Sequence, residues 1–285
     1  MGDVMICLVG EQPVPNLLPI RHCKPSTAVL VHSERTKRVS HNLERLLRGE
    51  TSVMLWEVPP YDISGAQEKL SHYVSEQQWP LASVIFNLTG GTKTMALAAF
   101  HLAQEHGSPL LYLQSEGRQS LLHRYRWEGR RLVHLESTII QESLTIDDYL
   151  RAHVGEYGRR RRKPDPYEQL ISDALRVHVD EIMANVAIDP NIEIDLVVRR
   201  GNQVGVVEVT AGKADKEKID QLHSVTGREF LGTYTKRFLV ARRALEANNR
   251  LLAQAYDIKV IEELGDLAGE AKNRLVQTII KELGG

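Results

Sequence analysis

The feature that most restricts the fold is a strict alternation of apolar runs and helical patterns in the first half of the chain. The runs "VMICLV", "TAVLVHS", "SVMLWEV", "LASVIFNL" and "PLLYLQ" are short and rich in aliphatic and β-branched residues, as buried strands are. Between them, "TKRVSHNLERLLRG", "SGAQEKLSHYVSEQQ" and "TMALAAFHLAQEHG" carry helical spacing, the first and last closing on Gly. Parallel strands need long crossovers, so this rhythm predicts a parallel α/β sheet with helices on both faces. "SLLHRYRWEG" and "RRLVHLES" then predict an antiparallel hairpin at the sheet edge.

The rhythm breaks over residues 141–166, where "GEYGRRRRKPDP" gathers two Gly, five consecutive basic residues and two Pro. That composition predicts a linker. From Tyr167 the order changes to a helix over about 167–187 and two adjacent strands, "IEIDLVV" and "VGVVEVT", around a Gly201-Asn202 turn. A helix, the strand "KRFLVAR", a helix, the strand "IKVIEEL" and a last helix follow. The expected domains are therefore 1–140 and 167–285, and 285 residues suffice for two cores. A net charge of -1 excludes binding nucleic acid through overall charge, so any such contact must be local. With only Cys7 and Cys23 and no CxxC, disulfide frameworks and cysteine-based zinc sites are not expected. "MGDVMICLVGEQPVPN" does not read as a signal peptide and no apolar stretch has transmembrane length, so the expectation is a cytoplasmic chain without a membrane partner.

In an open α/β sheet, ligands sit beyond the carboxyl ends of the strands. Three polar loops fall there: Gly10-Glu11-Gln12-Pro13, Ser33-Glu34-Arg35-Thr36 and Asn87 to Lys93. The last is not an ATP-type phosphate loop, because Thr92 separates Gly91 from Lys93 and Phe86 occupies the position of the earlier glycine. Its glycines, free helix amides and the Thr92 and Lys93 side chains suit a phosphate-bearing anion. A tight turn capped by Thr92 is the plainer reading.

"NLTGGTKTM" after the fourth strand, "LVGEQPVPNLL" after the first, and "VHS" with Thr36 after the second resemble the CRISPR-associated Rossmann-fold (CARF) domain. The resemblance extends to effectors in which that domain precedes a restriction-endonuclease-like nuclease. It implies a homodimer that binds one cyclic oligoadenylate, by analogy cyclic tetra-adenylate, across its two-fold axis. Gln12, Ser33, Thr36, Asn87, Thr89, Gly90, Gly91, Thr92 and Lys93 would line that pocket. A CARF domain that itself cleaves the messenger is a further option, although no base is identified.

In the second half, Asp195 ends the alternation of "NIEID", Glu208 sits within "VVEVT", and Glu168 lies on the domain's first helix. Acids inside apolar strands are costly to bury without a cation. Asp195 and Glu208 are placed as cross-strand neighbours about the turn, a hard-oxygen site for Mg²⁺ or Mn²⁺. The pattern resembles the PD-(D/E)xK nuclease core, with one departure: Thr210 stands where that family has Lys. Lys213, Lys216 and Lys218 follow, and Lys213 or Lys218 could supply the displaced charge; Gln221 shares their helix. The combined expectation is a messenger-activated, metal-dependent nuclease of type III CRISPR defence cutting DNA or RNA. The alternative is a degenerate sensor that binds nucleic acid without cutting. Arg159 to Lys163 could grip a phosphate backbone, but a charged linker is the plainer account. The histidines are scattered, and His101 and His106, five apart, have poor ligand spacing.

Overall fold

A computed structural model describes residues 3–80, 83–116, 119–140, 144–160, 165–212, 216–227 and 229–284. The chain divides into two compact units, Met1–Ser143 and Leu144–Gly285.

The first unit runs β1 (Val4–Leu8), α1 (Val14–Cys23), β2 (Thr27–His32), a 3₁₀ turn (Glu34–Thr36), α2 (Lys37–Leu46), β3 (Ser52–Glu57), α3 (Ile63–Gln77), β4 (Val84–Asn87), α4 (Lys93–His106), β5 (Leu110–Glu116), β6 (Gln119–Glu128) and β7 (Arg131–Ile139). Its sheet has the order β3-β2-β1-β4-β5-β6-β7. The first five strands are parallel, and β6 and β7 form the expected antiparallel edge. The chain leaves β1 toward β3 and then returns to β4 on β1's other side. That reversal opens a crevice beyond the carboxyl ends of β1 and β4.

Helix α4 is set by its ends and its stripe. Thr92 caps it by accepting from the Met95 amide at 3.2 Å, and Gly107 ends it in the left-handed region at φ 66°. Between them Met95, Ala98, Ala99, Leu102 and Ala103 recur at helical spacing and join the core of Ile6, Leu8, Val29 and Phe86. Helix α1 was not among the expected elements. Its buried residues, Asn16 to Ile20, are consecutive, so no amphipathic period marks it, and it carries Pro15 and Pro19. The early proline costs no helical hydrogen bond, because first-turn amides have no intrahelical partner.

The second unit runs α5 (Ile146–Val154), β8 (Gly158–Arg159), α6 (Pro166–Leu175), β9 (Glu181–Ala187), β10 (Glu193–Arg200), β11 (Gln203–Thr210), α7 (Lys216–Val225), β12 (Lys236–Ala241), α8 (Ala247–Ala255), β13 (Lys259–Ile261) and α9 (Gly269–Glu282). Its mixed sheet has the order β13-β12-β11-β10-β9-β8. Two expectations need correction. The segment 141–166 is not a plain linker: it holds α5, started by a Thr145–Asp148 capping box, and the edge strand β8. The helix expected to reach about 187 stops at Leu175, and Glu181–Ala187 pairs antiparallel with β10. Pairing to a waiting strand overrides local propensity there.

Tyr167 and Ile171 of α6 and Leu275 and Ile279 of α9 pack on Leu196, Val198, Val207, Val209, Phe238 and Val240, which share one sheet face. Side chains alternate along a strand, so Asp195 and Glu208 belong to the opposite face.

Candidate functional site

In the first unit the crevice is built by close backbone contact. A Cβ on Gly90 would stand 2.2 Å from the Leu8 carbonyl oxygen and 3.2 Å from the Gly10 amide nitrogen. Gly91 has φ +73°, and a Cβ there would stand 2.9 Å from that of Leu8. The glycines therefore let the loop after β4 lie against the loop after β1.

Side chains lock this arrangement. A proline at position 19 leaves the Pro15 carbonyl without its helical partner, and Asn87 Nδ2 donates to that oxygen at 2.9 Å. Asn87 Oδ1 accepts from the Thr89 amide and hydroxyl at 3.2 and 2.6 Å, and Thr89 Oγ1 accepts from the Leu113 amide at 2.7 Å. Thr92 and Thr94 both donate to the Pro60 carbonyl. Ser33 and Thr36 are buried and bond to each other in a capping box. Glu11 and Arg35 pair at 2.5 Å between the loops after β1 and β2.

The expected pocket residues thus divide into two groups. Ser33, Thr36, Asn87, Thr89 and Thr92 have hydroxyl or amide groups engaged in holding loops together. Gly90, Gly91, half-buried Gln12 and exposed Lys93, the first residue of α4, lie on the crevice loops themselves. Asn16, which donates to the Leu8 carbonyl at 3.1 Å, and the Pro60 carbonyl were missed, since neither belongs to a polar loop motif.

In the second unit, Leu196 pairs with Val207, so the next step of the register sets Asp195 against Glu208. Both are buried, at 6% and 2% exposed. Lys218, on the first turn of α7, donates to Asp195 Oδ2 at 3.3 Å and to Glu208 Oε2 at 3.1 Å. Asp195 Oδ2 also accepts from the Val209 amide at 2.8 Å. Burial first, and the neighbouring Asp195 second, push the Glu208 carboxyl up to about 8. Burial acts to lower the Lys218 pKa, but Glu208 and Asp195 outweigh it and raise it.

The other expected site residues lie as follows. Thr210 is buried on β11, and Lys213 falls outside the described residues. Glu168 is 8% exposed, and its Oε2 accepts from the Asp165 amide at 3.3 Å in the first turn of α6. Gln221 Nε2 donates to the Glu193 carbonyl at 2.5 Å, two residues before Asp195. Arg160 pairs with Glu193 at 3.2 Å and Arg159 Nε donates to the Ala184 carbonyl at 3.3 Å, so this part of the basic run lies against the sheet. Residues 161–164 lie outside the described ones.

Among the described residues no group of three or more His, Cys, Asp or Glu is placed to hold a metal. The donor chemistry nevertheless suits a hard divalent ion. Two buried acidic side chains share the Lys218 ammonium, and burial first, with Asp195 second, raises the Glu208 carboxyl, a position a divalent cation would relieve.

No described helix is long and apolar enough to cross a membrane. No curated protein matches the sequence. Among solved structures, Can2 from Sulfobacillus thermosulfidooxidans in complex with cyclic tetra-adenylate is 18% identical with a TM-score of 0.76, over 99% of each chain. Protein VC1899 from Vibrio cholerae is 14% identical with a TM-score of 0.74, again over 99% of each. A type III CRISPR defence DNA nuclease activated by cyclic oligoadenylate is 18% identical with a TM-score of 0.59, over 87% of this chain and 46% of that one. At such identities they establish the shared fold. The family profile described as the Card1 CARF domain matches residues 4–149. With half of its length matched by that profile, the chain belongs to the Card1 CARF family, its Rossmann-like domain followed by a second, mixed α/β domain.

Proposed function

We propose that the protein is a cyclic-oligoadenylate-activated, metal-dependent nuclease of type III CRISPR defence, acting as a homodimer. The observation that carries the reading is Lys218 held between Asp195 and Glu208, which supplies from a helix the positive charge that Thr210 cannot.

Asp195 and Glu208 would hold Mg²⁺ or Mn²⁺, and Glu168 completes the carboxylate set on the pattern of related nucleases. The metal, when bound, would polarise a phosphodiester and lower the pKa of a water. Lys218 keeps its proton beside the two carboxylates and offers that charge to a phosphate oxygen, stabilising negative charge as it develops. Gln221, fixed to the start of β10, flanks the same strand and can hold a substrate or water hydrogen bond.

The family and the Gly90–Gly91 crevice support messenger binding in the first unit. Backbone amides there, with Gln12 and Lys93, would contact phosphates and adenosines, while Ser33, Thr36, Asn87, Thr89 and Thr92 hold the loops in shape. Cyclic tetra-adenylate is the ligand proposed, since Can2, of the same fold, was solved with it. One observation favours a second reading, a sensor that binds nucleic acid without cutting: the missing lysine at Thr210. Incubation with plasmid, single-stranded DNA and RNA in Mn²⁺, with and without cyclic tetra-adenylate, decides between them. Cleavage only with the messenger supports the nuclease, and no cleavage under any condition rejects it.

A further inference from the structure

Strand β9 carries two irregularities at one residue. Asn185 has φ +56°, the left-handed region, inside a strand. Its side-chain Oδ1 is buried and has no hydrogen-bond partner among the described residues. A buried acceptor without a donor is costly, and few native groups are left so. Residues held in left-handed backbone cluster where a ligand is gripped.

The register says which ligand. Ile194 pairs with Val186 and Leu196 with Ala184, which sets Asn185 opposite Asp195 at the one step between them that the ladder skips. Asp195 faces Glu208 on its other side. The three residues thus form one row across β9, β10 and β11. Ile182 and Ala184 of β9 pack on the core shared with α6 and α9. Asn185, one residue on from Ala184, stands in the Asp195–Glu208 row of the register. The main-chain carbonyl of Asn185 accepts from the Arg160 amide at 3.0 Å. Its side-chain oxygen lacks a donor among the described residues.

We propose that Asn185 is a further residue of the carboxylate site, its amide oxygen entering the coordination sphere of the divalent cation directly or through one bound water. The inference rests on the metal-dependent reading above. An amide oxygen is a hard, neutral ligand of the kind Mg²⁺ and Mn²⁺ accept beside carboxylates. It adds a donor without adding charge to a buried acidic pair. Backbone geometry alone does not account for the residue: glycine would satisfy φ +56° at less cost, and what asparagine adds is the oxygen.

That comparison supplies the test. Asn185→Gly keeps the backbone relaxed and removes the oxygen. Asn185→Asp keeps an oxygen in place. Mn²⁺ affinity is measured by calorimetry on the full chain without nucleic acid, alongside thermal melting in metal-free buffer. The expected result is that Asn185→Gly melts no lower than the unaltered protein, because an unsatisfied acceptor is gone, yet binds Mn²⁺ about tenfold or more weakly. Asn185→Asp should bind at least as tightly as the unaltered protein. Asp195→Asn serves as the control for the site. If the unaltered protein binds no Mn²⁺ that Asp195→Asn abolishes, the metal reading fails and takes this inference with it. If that binding is present but Asn185→Gly leaves it unchanged, or Asn185→Asp weakens it as much as glycine does, the inference alone is overturned.

Discussion

Lys218 reaches between Asp195 and Glu208, and the proposed cleavage gives the ammonium and the two acids different roles. Removing a hard-oxygen ligand removes the metal, so Asp195→Ala or Glu208→Ala should abolish messenger-dependent cleavage while messenger affinity by calorimetry stays unchanged. Lys218→Ala should retain metal and lose about 10²-fold in rate, the scale of one well-placed electrostatic stabiliser. Single-turnover cleavage measures both. The same residues set a pH dependence. The Glu208 pKa is raised in the folded chain, so its contribution to stability is complete below the ordinary glutamate value of about 4.3 and is lost as pH rises through about 8. The Lys218 pKa is also raised, so the ammonium keeps its charge, and its contribution, throughout that window. Glu208→Gln should therefore gain stability relative to the unaltered protein as pH rises from 5 to 8, on the order of a few kcal/mol at most, read as a growing difference in melting temperature. Thermal melts of both proteins across that range in metal-free buffer check it; a difference independent of pH would contradict it.

At the scale of elements, the loop after β4 depends on a glycine against the end of β1. Gly90→Ala would drive a methyl into the Leu8 carbonyl oxygen, a contact that backbone must move to relieve. Asn87→Ala would strip the donor from the Pro15 carbonyl and the acceptor from Thr89. Each should cost about 1–3 kcal/mol of stability, read by urea denaturation. The Gly90 change should also abolish messenger binding measured at a temperature where the variant is folded. These elements show what the sequence disclosed. The five parallel strands, α2 to α4, the edge hairpin and the β10–β11 hairpin were legible, because each has the period of its own structure. Asp195 and Glu208 were legible as acids in apolar strands. Helix α1 was not, since two buried faces erase a 3.6-residue period. Helix α5 was hidden by the basic run that follows it, although Thr145 and Asp148 carry a capping signature. Strand β9 was read as helix because pairing with β10 is a tertiary fact. The inward roles of Asn87 and Thr89 were equally hidden: a polar residue in a glycine loop looks the same in sequence whether it faces a ligand or a neighbouring strand.

At the scale of the whole molecule, one symmetric messenger read by the same loop in each copy calls for an isologous two-fold dimer. Light scattering should give twice the chain mass at micromolar concentration without ligand; a monomer both with and without messenger would contradict the proposal. Lys93→Ala should weaken cyclic tetra-adenylate about tenfold or more if the exposed ammonium meets a phosphate. Calorimetry with cyclic tri-, tetra- and hexa-adenylate measures this and the ring preference together. Activation needs the messenger to bind the cutting arrangement more tightly than the resting one, and each protomer then needs a part able to take two positions. The origin of Lys218 bears on this. A lysine two residues beyond Glu208 would be riveted to the central sheet, and no motion short of unzipping β11 could withdraw it. Here the ammonium rides on α7, while the acids stay in the sheet. A slide of the helix by about 1–2 Å, the ordinary scale of helix shifts in switching proteins, would open both bonds while leaving every strand paired. With Thr at position 210 and the charge carried on α7, the proposed nuclease would have a detachable charge in place of a fixed one, and could be silenced without being unfolded.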